Sequence, residues 1–68
     1  SLVAYPNPAT DMVTLRGVRA QTPWTVRSMS GQVVRQGQGS RVDLQGLSVG
    51  LWMIQAKGHK PTVLSLVR

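Results

Sequence analysis

Trp24-Thr25-Val26-Arg27-Ser28-Met29-Ser30-Gly31-Gln32-Val33-Val34 holds a two-residue apolar–polar alternation through Arg27 and then meets a turn signal at Ser30-Gly31. Successive side chains on a strand point to opposite faces, so Trp24, Val26 and Ser28 share one side against Thr25, Arg27 and Met29. Glycine supplies the positive φ that a tight reversal requires, and the apolar run resumes at Val33. The stretch therefore reads as a β-hairpin. No segment elsewhere sustains a 3.6-residue period over ten residues, so helix is not expected.

Outward from the hairpin, short apolar runs bounded by Gly, Pro, Ser and Asn place strands at residues 2–5, 12–16, 24–29, 33–36, 41–44, 51–57 and 62–67. Seven short strands with regular turns predict an all-β chain, a small, mainly antiparallel Ig-like β-sandwich. The expected core is Leu15, Trp24, Val26, Val33, Leu44, Leu47, Trp52 and Ile54. Both faces are apolar at the start of the 51–57 strand, which argues for a central position. Pro6 and Pro8 lack backbone donors and push Asn7 toward extended geometry, so the first strand must stop at Tyr5. Gly46 and Gly50 bracket Leu47-Ser48-Val49, which predicts a turn tucking Leu47 inward, with Gly50 where two backbones approach closely. The first and last strands carry almost no internal charge, so open edges and edge-strand self-association are expected.

At 68 residues the chain is one domain with a small core and no room for a deep cleft. It begins with Ser and reads as an excerpt of a longer polypeptide, residues 1–68 being its terminal domain. There is no cysteine, and no apolar run approaches the roughly 20 residues a spanning helix needs. The domain is thus not expected to be inserted in a membrane. Eight Lys and Arg against two Asp give a net charge of +6, but the cations are dispersed and form no nucleic-acid motif, so no nucleic acid is expected as partner.

Chemistry is sparse. His59 lies between Gly58 and Lys60 with no second histidine, cysteine or glutamate to complete a metal site or a nucleophile–base pair. Asp11 and Asp43 are the only carboxylates and read as turn or backbone acceptors. Trp24 and Trp52 lie in phase with aliphatic neighbours and read as core. No catalytic, cofactor or metal residue is assigned, and the chain is not expected to be an enzyme.

Three blocks in order carry a resemblance. Tyr5-Pro6-Asn7-Pro8-Ala9-Thr10-Asp11 precedes Val13 and Leu15; Val26 to Val34 forms the central hairpin with Gly31; Val42-Asp43-Leu44 precedes Leu47 and Gly50-Leu51-Trp52-Met53-Ile54. The set resembles the type A C-terminal sorting domain of type IX secretion cargo in Bacteroidetes-type bacteria. Trp52 stands where that family commonly has tyrosine.

The resemblance implies a signal that directs an attached N-terminal cargo through the periplasm and across the outer membrane to the cell surface or medium. It implies as partners the secretion machinery and a sortase that removes the domain and can attach the cargo to the surface. The implied signal residues are Tyr5, Pro6, Asn7, Pro8, Gly31, Asp43, Gly50 and Trp52, with Leu66, Val67 and Arg68 as an exposed recognition strand whose loss should harm recognition more than folding. The competing reading is a carbohydrate- or surface-binding sandwich appended to a secreted enzyme.

Overall fold

Alternating apolar residues produce seven strands in a computed structural model that describes residues 2–68: β1 (Val3–Tyr5), β2 (Met12–Arg16), β3 (Pro23–Ser28), β4 (Val33–Gln38), β5 (Arg41–Asp43), β6 (Gly50–Ala56) and β7 (Thr62–Leu66). They form a three-stranded sheet, β1-β2-β5, and a four-stranded sheet, β4-β3-β6-β7. Every pairing between named strands is antiparallel. The inner faces bury Val13, Leu15, Val42 and Leu44 from the first sheet and its flank against Trp24, Val26, Ile54, Ala56, Leu64 and Leu66 of the second. β6 is central, between β3 and β7, as its doubly apolar start predicted.

Two expectations need correction. Val33 is 40% exposed; Val34 packs against the core in its place. The register shifts between Val26, opposite Arg35, and Arg27, opposite Val33, so a β-bulge at Val34 reverses the alternation. Gly50 does not mark a close approach, since a Cβ there would meet nothing within 4 Å; it is needed because its φ is +141°. The close approach is at Gly37, where a Cβ would lie 2.6 Å from Cζ2 of the Trp24 indole on the neighbouring strand. A glycine opposite an aromatic lets the ring lie flat on the sheet.

The sandwich is closed along both sides by side chains. On one, Arg35 of β4 donates through Nη1 to the carbonyls of Asp43 (2.9 Å) and Gln45 (2.8 Å), tying the edge of the second sheet to the end of β5. On the other, the Pro6–Ala9 segment lies along β7. Asn7 Nδ2 donates to the Val63 carbonyl (3.2 Å), and the Ser65 amide donates to Asn7 Oδ1 (3.1 Å). Ala9 N donates to the Ser65 carbonyl and Val67 N to the Ala9 carbonyl, both at 2.8 Å. The expected open edge at the last strand is therefore occupied: a primary amide and one peptide unit stand in for a neighbouring strand. β1 and β5, also at sheet edges, are three residues each, and β4 carries the bulge. Short, kinked or covered edges all discourage pairing with another chain.

Candidate functional site

Because β1, β3, β5 and β7 run antiparallel to β2, β4 and β6, the odd strands all finish at one end of the sandwich. That end carries the 6–11 connection, the β3–β4 hairpin, the 44–49 loop and Val67-Arg68. The three sequence blocks converge there. Tyr5 ends β1 and its ring receives the Arg16 guanidinium 5.5 Å from its centroid. Gly31 makes the hairpin, its amide donating to the Ser28 carbonyl (2.9 Å), while Arg27 Nη1 donates to the Gly31 carbonyl (3.1 Å). Asp43 Oδ1 accepts the Gln45 amide (3.0 Å), turning the chain out of β5.

The 44–49 loop is held from three directions. Leu47 is buried beneath it, Trp52 Nε1 donates to the Ser48 carbonyl (2.9 Å), and Arg68 donates through Nη1 to the Leu47 carbonyl and through Nη2 to the Leu44 carbonyl (3.3 Å). Gly50 opens β6 opposite Leu66. The Leu44 amide also donates to the Asp11 carbonyl (2.8 Å), joining this loop to the proline turn. With two carboxylates against eight cations, the guanidiniums of Arg27, Arg35 and Arg68 are satisfied by backbone carbonyls. Their role is to fix loops.

The terminal residues differ from an exposed recognition strand. Leu66 is 1% exposed and belongs to the core, Arg68 anchors the loop, and Val67 alone of the three presents an exposed apolar side chain. Removing all three would strip the core as well as any recognition surface. The reading of the sequence missed the edge role of Asn7 and the loop role of Arg68. An acceptor-rich fold with only two acids leaves arginine few partners other than carbonyls, and that was the available signal.

The opposite end holds His59, whose amide donates to the Ala56 carbonyl (3.0 Å) in the β6–β7 turn. A shallow depression of about 650 Å³ on the outer face of the four-stranded sheet is lined by Thr25, Arg27, Gln36, Gln38, Gln55 and Lys57 among others. It combines Pro23 and Trp24 with amides, a hydroxyl and cations, with no carboxylate among its lining residues. Among the described residues no group of three or more His, Cys, Asp or Glu is placed to hold a metal ion. Among the described residues no helix is long and apolar enough to cross a membrane.

A family model described as the secretion system C-terminal sorting domain matches residues 3–66. No curated protein and no solved structure matches the chain.

Proposed function

The chain belongs to the family of secretion system C-terminal sorting domains, and we propose that it acts as the folded address of a cargo protein, read at the end of the sandwich where the odd strands finish. Membership carries the type IX export function, delivery across the outer membrane to the cell surface or the extracellular space. The finer reading is that the cargo lies N-terminal to this domain, passes through the periplasm, and is separated from the domain by a sortase that can join it to the surface. Tyr5, Pro6, Asn7, Pro8, Gly31, Asp43, Gly50 and Trp52, with Leu66, Val67 and Arg68, are its signal residues.

The observation that carries this reading is the convergence of the motif blocks at one end, although none of them builds a pocket. Their side chains instead hold backbone loops in fixed shapes, as a domain recognised by its surface requires. The orders β1-β2-β5 and β3-β6-β7 agree with those of Ig-like sandwiches and support kinship with them, with β4 lying beside β3 rather than beside β5.

Fusing residues 1–68 to a periplasmic reporter in a host with this secretion system tests the reading. The reporter is expected in the medium or on the surface, and in the periplasm when the transport machinery is deleted. A fused reporter that stays in the periplasm of the competent host overturns it.

A further inference from the structure

The β7 edge differs from the other three. β1 and β5 are too short to template another strand, and the bulge interrupts β4, but β7 is a regular five-residue strand with its outward backbone groups in register. Those groups are met by something less than a strand: the Asn7 amide at Val63 and Ser65, and the Ala9 peptide unit at Ser65 and Val67. A primary amide presents one acceptor and two donors, so it copies one peptide unit without any chain connectivity along the edge.

We propose that the outer edge of β7 is a strand-docking site held shut by Asn7 and Ala9, and that the partner it fits is an extended, acidic peptide segment that displaces both. Four hydrogen-bonding groups become available when the guard lifts, at Val63, Ser65 and Val67, with the spacing that β-augmentation uses. The side chains flanking them define the occupant. Val63 and Val67 are exposed on the outer face, whereas Leu64 and Leu66 are buried on the inner face, where Ala9, fully buried, fills the next position. The docking strand therefore carries a small apolar residue facing inward. The net charge of +6 favours acidic residues elsewhere along it. The inference stands on the edge geometry and does not depend on the export reading.

The guard must open while the sheet stays intact, and amide exchange in the intact domain reads this directly. The Ser65 and Val67 amides bond to the guard, while alternation turns the Leu64 and Leu66 amides toward β6. Ser65 and Val67 are expected to exchange at least about tenfold faster than Leu64 and Leu66, through a local opening. Equal rates would mean that the guard leaves only when the domain unfolds, and would overturn the proposal.

The docking arm uses a short acetylated peptide alternating glutamate with alanine and valine, followed by amide chemical shifts. Expected are shifts at Ser65 and Val67, affinity about tenfold tighter for Asn7→Ala because the amide no longer competes, and loss of binding when the peptide's backbone amides are N-methylated. Shifts confined to β4 or β1, or binding indifferent to N-methylation, would overturn it. Failure of this test with successful export of the reporter would sink the docking site and leave the sorting function standing.

Discussion

The two ends of the sandwich are held by different kinds of interaction. At the far end the connections are held mainly by backbone groups, within turns, as where Thr22 N donates to the Arg19 carbonyl (3.1 Å) and His59 N to the Ala56 carbonyl (3.0 Å), and between them, as where Gly39 N donates to the Thr22 carbonyl (2.9 Å). At the motif end side chains also reach across the fold to hold the connections, Asn7 spanning 56 and 58 positions along the chain and Arg68 spanning 21 and 24. Backbone bonds accompany any strand pairing or turn, whereas a side chain clasped to a residue tens of positions away needs its partner already in place. The shape of the motif end therefore reports that the whole domain is folded, a property suited to an address that is to be read only on a finished protein.

Substitutions at the two ends should separate this contrast. The largest effect is expected from Leu66→Ala, which removes a fully buried side chain at the strand that carries both the core and the guard; about 2–5 kcal/mol is lost, enough to unfold much of a domain this small. Urea unfolding measures it, and a loss below about 1 kcal/mol would show that the terminal strand is dispensable to the fold.

Gly50→Val comes next. A β-branched residue at φ +141° costs roughly 1–3 kcal/mol of backbone strain although no atom obstructs it. Thermal unfolding should fall while amide exchange in the turns of the far end stays nearly unchanged relative to the global rate. Equal loosening of both ends would erase the distinction between them.

His59→Ala should be the smallest, within about 0.5 kcal/mol, because the bond in its turn is made by the backbone. An effect as large as that of Gly50→Val would show the far end to be as finely built as the other.

Much of the fold was legible because period-two alternation is a local signal. All seven strands fall within about two residues of their expected limits, and the Ser30-Gly31 reversal lies where the sequence put it. Val33 was misassigned for a physical reason: two adjacent valines leave parity ambiguous, and the bulge that selects Val34 depends on pairing with β3. The close approach expected at Gly50 lies at Gly37, because composition cannot distinguish a glycine needed for its φ from one needed for its missing Cβ. The family blocks were visible as motifs, but the reason Asn7 sits between two prolines lies on a strand more than fifty residues away. Arg35 and Arg68 looked like dispersed surface charge until their carbonyl partners came into view.

The two tryptophans turn this architecture into an optical instrument. Trp24, 6% exposed, lies at the far end against Gly37 with its indole Nε1 buried and without a hydrogen-bond partner among the described residues, a dry setting that favours short-wavelength emission. Trp52, half-buried at the motif end, donates its indole N–H to Ser48 and should emit further to the red. With no phenylalanine and a single tyrosine, the chain has little else to confuse the signal. Loosening of either end thus carries its own colour, and single Trp-to-Phe versions would let each be followed in real time during folding, docking or export.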